Sequence, residues 1–347
     1  MTVKVAIAGA GMVGSYLCRL LETKGIKADL YGERRGHTAC GISPCAWGST
    51  GRFRDGIRAA KLDPEEYVLR DFSVVNFEGV DMRASLLTFD KPRLIRDLQA
   101  GTNVIEGPIP RHKYERIIDA TGVKRAYLPA IREDLLVPCV QHRVTAEGVD
   151  SSKVIIQYGN LGYAWRFPLS DTEFHIGAGS LLADPKETLR DSGFLDIGGK
   201  IRCSCSGSVR STAPRESQPF ISKEEIHACE IWGVGESIGA VAPIAGEGVA
   251  PGMDSARTLV DCWDDPRAYT SKILKEFSWM MGERRVIGKV ARSEPLNLRD
   301  WLTLRKTGLR MGSSVTVNET REILKCLTKP QAWNRREDAA VKSECAK

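Results

Sequence analysis

The start of the chain constrains it most. Val5-Ala6-Ile7-Ala8 is an apolar run of strand length that breaks into Gly9-x-Gly11-x-x-Gly14, and a helical apolar pattern follows through Leu17, Leu20 and Leu21. A strand, glycine turn and helix in this order form the dinucleotide-binding fingerprint of a Rossmann-like fold. Each glycine has a physical task there: Gly9 makes the tight bend, Gly11 lets a pyrophosphate approach the backbone, and Gly14 lets the helix close onto the strand. The helix N-terminus offers unpaired N–H groups and a positive dipole end to phosphate.

The next segments continue such a fold. Gly25 ends the helix, and Ile26–Tyr31 reads as a second strand. An acid at the end of that strand binds ribose hydroxyls. Glu33 is the candidate, one residue past Gly32, where the acid is first expected; a solvated loop charge is the alternative reading. Residues 34–60 read as a long irregular segment rich in Gly, Ser, Arg and Cys, a length usual for functional loops. Val68–Leu87 alternates like one or two hairpins, and Asp90 caps a helix with Pro92 in its first turn. Arg116-Ile117-Ile118-Asp119 is a short strand that runs into Ala120-Thr121-Gly122, where a backbone can approach a ligand; a plain strand-to-turn junction reads equally well.

The middle of the chain changes character. Val154–Tyr158, Tyr163–Leu169 and Phe174–Gly179 read as strands of an antiparallel sheet inserted into the first domain. Its aromatics, Tyr158, Tyr163, Trp165, Phe167 and Phe174, suit either the wall of an apolar ligand cavity or a sheet packed on helices. The chain then returns through an apolar strand ending in Gly235-Glu236, passes Pro243 and Gly246-Glu247-Gly248, and enters a helix from about Val249 to Trp263. A second glycine-rich strand-to-helix turn so far from the first suggests two segments embracing one cofactor. Residues 266–290 read as helical, Thr316 and Glu319 form a capping box, and the tail from Pro330 is polar. The expected architecture is α/β (α+β): a Rossmann-like domain from 1–134 and 221–290, an antiparallel-sheet substrate domain at 135–220, and a small helical C-terminal part at 291–347.

Composition narrows the partners. The 347 residues carry 50 Lys+Arg against 44 Asp+Glu, a net charge of +6. These basic residues are scattered rather than gathered with aromatics, which argues against nucleic acid. No apolar run is long enough to span a bilayer, and residues 1–14 read as a strand rather than a signal peptide. A peripheral membrane contact stays open, because a lipid-using enzyme needs only an apolar surface. The chain reads as cytoplasmic, so its 10 cysteines are expected as reduced thiols. Cys203-Ser204-Cys205 lacks the second pair of a zinc site, while Cys18, Cys139, Cys229, Cys262 and Cys326 read as small core residues. The five histidines show no catalytic spacing, and His175 reads as a packed side chain.

Taken together, the segments resemble the FAD-dependent flavoproteins whose fold is shared by aromatic hydroxylases and geranylgeranyl reductases. The resemblance is greatest to the archaeal geranylgeranyl reductases, whose Tyr-x-Trp-x-Phe-Pro motif stands here as Tyr163-Ala-Trp165-Arg-Phe167-Pro168. Cys40-Gly41 also falls where that family carries a Cys-Gly pair beside the flavin ring. The resemblance covers roughly residues 3–290. It implies that Gly9, Gly11, Gly14 and Glu33 hold the ADP half of FAD, with Asp119–Gly122 lining the same region. Arg93 corresponds to a flavin-contacting basic residue. Gly235-Glu236 would reach the ribityl or pyrophosphate part, and Gly246, Glu247 and Gly248 would present backbone N–H groups near the pyrimidine edge. Tyr163, Trp165 and Phe167 would line a prenyl-chain pocket.

The implied activity is reduction of isoprenoid (geranylgeranyl) C=C bonds of lipid precursors, with a ferredoxin-like electron donor. Saturating an unactivated alkene needs a hydride at one carbon and a proton at the other. Cys40 is the candidate proton donor, with a packed structural thiol as the other reading. A flavin monooxygenase or halogenase of the same fold, and a non-catalytic FAD-binding protein, are the competing functions.

Overall fold

The computed structural model describes residues 3–32, 46–158, 161–226, 228–314, 316 and 319. The readings placed on Glu33, on Cys40 and on the tail from Pro330 lie outside the described residues. In chain order the elements are β1 (Val5–Ala8), α1 (Met12–Thr23), β2 (Ala28–Tyr31), β3 (Gly48–Thr50), α2 (Arg52–Ala59), β4 (Val68–Phe77), β5 (Val80–Phe89), α3 (Lys91–Leu98), β6 (Val104–Ile105), β7 (Arg116–Asp119), β8 (Leu136–Thr145) and β9 (Val154–Tyr158). They continue as β10 (Gly162–Pro168), β11 (Glu173–Ser180), α4 (Pro185–Asp191), β12 (Lys200–Arg210), β13 (Ile221–Glu224), β14 (Cys229–Gly233), α5 (Val249–Asp261), α6 (Pro266–Glu276), α7 (Met280–Ala291), α8 (Leu298–Arg310) and β15 (Ser313–Ser314).

Among the described residues one sheet has the order β13-β14-β7-β1-β2-β6. Its strands β14, β7, β1, β2 and β6 are parallel, with β13 antiparallel at the edge. Parallel strands are buried on both faces, which is why β1 is apolar throughout. Val5 and Ile7 turn toward a core shared with α1, α3 and α5, while Ala6 and Ala8 turn toward Tyr31, Tyr114 and Ile117. The helix α1 buries Tyr16, Leu17, Leu20 and Leu21, and its end is turned by Gly25 at φ +74°.

The second sheet has the order β12-β8-β11-β10-β9-β4-β5-β15, with β3 paired to β5. The three strands expected between 154 and 179 are present. The sheet is larger than expected, because the hairpin β4–β5, read above as part of the first domain, joins it. The joint is the parallel pairing of β4 with β9, Val75 beside Val154, over a small core of Phe72, Val75, Met82 and Val154.

The segment 34–60 is also not irregular throughout: β3 and α2 occupy its second half. Phe53 and Ile57, one helical turn apart, give α2 a buried edge. Its Gly56 meets Met253 of α5 so closely that a Cβ would stand 2.5 Å from the Met253 methyl carbon. Near the C-terminus Thr316 and Glu319 exchange the two bonds of the expected capping box, at 2.6 and 3.2 Å.

Candidate functional site

A cavity of about 2190 Å³ takes its walls from both sheets. One end is built from backbone. Ala8 to Val13, Gly32, Thr121 and Gly122 line it, so the first glycine turn and the end of β7 meet there. Gly9 holds φ +110°, and a Cβ on it would lie 2.5 Å from the Ala120 carbonyl oxygen. A Cβ on Gly14 would lie 1.9 Å from the Gly9 carbonyl oxygen, so this residue closes α1 onto β1 rather than facing the cavity. A Cβ on Gly11 would meet nothing within 4 Å. No side chain caps α1 at Gly11, which leaves the first N–H groups of the helix to a ligand. Gly32 backs onto this turn, where a Cβ would stand 2.6 Å from the Ala10 Cβ, so an acid has no room there. Glu106, just past β6, stands on the same wall; no motif marks it in the sequence.

Asp119 differs from expectation. It is completely buried and does not line the cavity. One carboxylate oxygen accepts the Thr121 N–H and hydroxyl, and the other accepts the Tyr127 and Leu128 N–H groups, at 2.6–3.0 Å. Its charge is spent on shaping the turn that presents Ala120, Thr121 and Gly122.

Glu236 lines the cavity, with Oε1 accepting the Arg210 N–H at 2.8 Å and Oε2 standing over Gly122. Burial pushes its carboxyl upward in pKa. Gly235 is not on the wall: at φ +68° it packs against Val13 and donates its N–H to Ser255 Oγ at 2.9 Å. Arg210, missed by the sequence reading, ties these pieces together. Buried at the end of β12, it donates to the carbonyls of Gly122, Val123 and Glu236 at 2.6–3.2 Å and pairs with Asp134 at 2.9 Å.

The second glycine turn lines the cavity through Gly246, Glu247 and Gly248, and one of the three expected N–H groups is already taken. The Gly246 N–H is bonded to the Ala242 carbonyl at 2.8 Å and is not on offer to a ligand. The Glu247 side chain folds back to cap α5, Oε1 accepting Val249 N–H at 3.1 Å, Ala250 N–H at 2.9 Å and Ser49 Oγ–H at 3.0 Å. Burial raises the pKa of this carboxyl as well.

Arg93 does not reach the cavity. Its guanidinium, half-exposed, bonds the Glu66 carbonyl at 2.7 Å and the Glu66 carboxylate at 2.8 Å and lies over Tyr67. Lys91 and Ile95 of α3 and Gln99 just past its end, spaced by four, turn toward the cavity, and Lys91 is buried there. Lys91 is therefore the buried cation that this helix supplies, with the exposed Arg96 as a second on the cavity lining.

The other end is built from side chains. Tyr163, Trp165 and Phe167 alternate along β10 and all line the cavity. Glycines make room for two of the rings. A Cβ on Gly177, across the ladder from Trp165, would stand 2.5 Å from the indole, and one on Gly48 the same distance from the Phe167 ring. Trp165 Nε1 donates to Gln141 at 3.3 Å, and the Tyr163 hydroxyl donates to the Ala245 carbonyl, which joins this end to the second glycine turn. Cys139 lies on the same wall, its thiol pushed up to about 12 by burial. His175, paired with Phe167 across the ladder, is packed beside this row, with Nδ1 3.1 Å from the Ala46 carbonyl and its ring edge-on to Trp47.

Known proteins carry this fold. A geranylgeranyl bacteriochlorophyll reductase-like protein from Thermoplasma acidophilum superposes with a TM-score of 0.69 at 16% identity, over 97% of this chain and 98% of that one. The fold is that of the p-hydroxybenzoate hydroxylase-type flavoproteins. The flavin-dependent halogenase CmlS matches with a TM-score of 0.59 at 13% identity, over 95% of this chain and 71% of its own. The peptidyl tryptophan dihydroxylase QhpG matches with a TM-score of 0.59 at 16% identity, over 91% and 81% of the two chains. In sequence, the uncharacterized protein MJ1182 of Methanocaldococcus jannaschii is 22% identical over 342 residues, 82% of this chain and 91% of its own. No protein-family model matches the chain. A reductase-like protein, a halogenase and a dihydroxylase share this flavoprotein fold, so the reaction must be argued from the site.

Proposed function

We propose that the chain is an FAD-dependent oxidoreductase that reduces isoprenoid C=C bonds of lipid precursors. The observation that carries this reading is the size and division of the cavity. At about 2190 Å³ it exceeds the usual range for one ligand, roughly 300–1,000 Å³, and it passes from a backbone-lined end to an aromatic end. A dinucleotide suits the first end: Gly11 opens a cradle, α1 is uncapped, and Lys91 adds a buried positive charge. An apolar chain suits the second.

Reduced FAD, when bound, supplies a hydride. The protein's part is to hold the alkene and provide the proton. Tyr163, Trp165 and Phe167 would hold the chain and exclude water. Glu247 stands on the wall between the two ends, and its Oε1 already accepts three donors, so a proton on this carboxyl belongs on Oε2. It joins Cys40 as a candidate proton source. A ferredoxin-like protein is the proposed electron donor.

Purified protein should show a flavin spectrum that dithionite bleaches without air. Adding a geranylgeranyl lipid should then restore the oxidised spectrum. Flavin that bleaches but ignores the lipid would overturn the isoprenoid reading and favour a hydroxylase or halogenase. Trp165→Ala should weaken lipid binding and leave flavin content intact; equal loss of both would make Trp165 a core residue only.

A further inference from the structure

The outer face of α8 carries an arrangement that the reaction does not use. Leu298, Leu302 and Leu309 are 75%, 47% and 55% exposed. On a helix of 3.6 residues per turn they fall within a single narrow stripe. Arg299, Arg305, Lys306 and Arg310 flank it, and Asp300 is the one acid of the helix. That acid faces inward, buried against Lys289 at 2.7 Å and Arg285 at 2.9 Å. The outer face is thus leucines and positive charge, with no carboxylate of its own. Arg299, Arg305 and Lys306 have no ion-pair partner among the described residues.

The opposite side of the same helix lines the cavity through Trp301, Leu304 and Thr307. One mouth of the cavity opens beside it, rimmed by the exposed residues Val290, Glu294, Pro295 and Arg305.

We propose that α8 is a membrane-docking helix, its leucine stripe seated in an anionic bilayer with the flanking Arg and Lys on the headgroups, so that the cavity mouth opens at the lipid surface. Exposed leucines alone would suit a second copy of the chain or another protein equally well. The surrounding positive charge decides for anionic lipid, because apolar insertion and attraction to anionic headgroups are the two terms that hold an interfacial helix. The inference does not depend on which reaction the cavity performs.

The test is co-sedimentation of the full-length protein, with whatever flavin it carries, with phosphatidylglycerol/phosphatidylcholine vesicles and with phosphatidylcholine alone. Binding is expected to the anionic vesicles and to fall as salt is raised. Leu302→Asp together with Leu309→Asp should weaken it roughly tenfold or more. Lys306→Glu, which leaves the stripe intact, should weaken it by about fivefold or more. Both variants should keep the wild-type circular dichroism and flavin content. Failure of the wild type to sediment, or unchanged sedimentation of both variants, overturns the proposal. A leucine variant that turns a dimer into a monomer without changing vesicle binding also overturns it, by assigning the face to a second copy. None of these outcomes bears on flavin reoxidation by a detergent-dispersed lipid, so the two proposals fail separately.

Discussion

At the glycine end of the cavity the wall is backbone, and one added carbon decides whether it can form. At the aromatic end the wall is side chain, and its rings fit because Gly177 and Gly48 leave them space. The glycine turn of the first depends on residues adjacent in sequence. The second depends on strands brought together from distant parts of the chain. The two ends should therefore break in different ways. The largest effect is expected from Gly14→Val, whose side chain would collide with the Gly9 carbonyl, where a Cβ has only 1.9 Å. We expect a loss of about 3 kcal/mol or more of stability, seen as collapse of the thermal transition. Gly11→Val, with nothing near its Cβ, should fold normally and lose flavin absorbance. If both variants fold and bind alike, the division of labour between these glycines is wrong.

Arg210 ties the second sheet to the glycine end, since its guanidinium rises from the end of β12 to bond the carbonyls of Gly122, Val123 and Glu236. Arg210→Met leaves those carbonyls and the partly exposed Asp134 without their partner. The expected loss is about 2–3 kcal/mol, below the cost for a completely buried pair because water reaches Asp134. Urea unfolding and flavin content should fall together. Loss of flavin without loss of stability would make Arg210 a ligand contact instead of a tie.

This contrast also accounts for what could be read in the sequence. The glycine spacing needs only local geometry, so the tight bend at Gly9 and the close packing at Gly14 were legible. The aromatic strand was legible as a strand because Tyr163, Trp165 and Phe167 alternate. That β4 and β5 complete the same sheet was not legible, because the pairing of Val75 with Val154 leaves no trace near either residue. Asp119 was misjudged for a related reason: its four donors lie at Thr121, Tyr127 and Leu128, and only folding shows that they exhaust it. Arg93 is different. The apolar positions Leu94, Ile95 and Leu98 already identify the inward face of α3, and Lys91 shares that face while Arg93 does not.

His175 tests the packing beside the aromatic end. Burial lowers its pKa to about 4, so the folded protein keeps the ring neutral where the unfolded chain, near 6.5, takes up a proton. Between those values the unfolded state binds more protons, and stability must fall as pH falls. Between pH 7 and pH 5 this contributes a loss of about 2 kcal/mol. In His175→Asn, urea midpoints at the two pH values should differ by correspondingly less than in the wild type. An unchanged difference would mean that other groups carry the acid sensitivity.

The smallest effect is expected at Arg93, and it separates the inward face of α3 from the outward one. The Arg93 guanidinium is 43% exposed, and its ion-pair partner Glu66 is 55% exposed. Solvent screens such a pair, so Arg93→Ala should cost no more than about 1 kcal/mol. Flavin content should not change, because Arg93 faces Glu66 and Tyr67 rather than the cavity. Lys91→Met is the informative companion: its side chain is buried on the cavity wall, and removing the charge should lower flavin affinity while the helix remains capped by Asp90. If Arg93→Ala released the flavin and Lys91→Met did not, the cation that meets the cofactor would be the one expected from the family resemblance, and α3 would have to rotate on binding to present it.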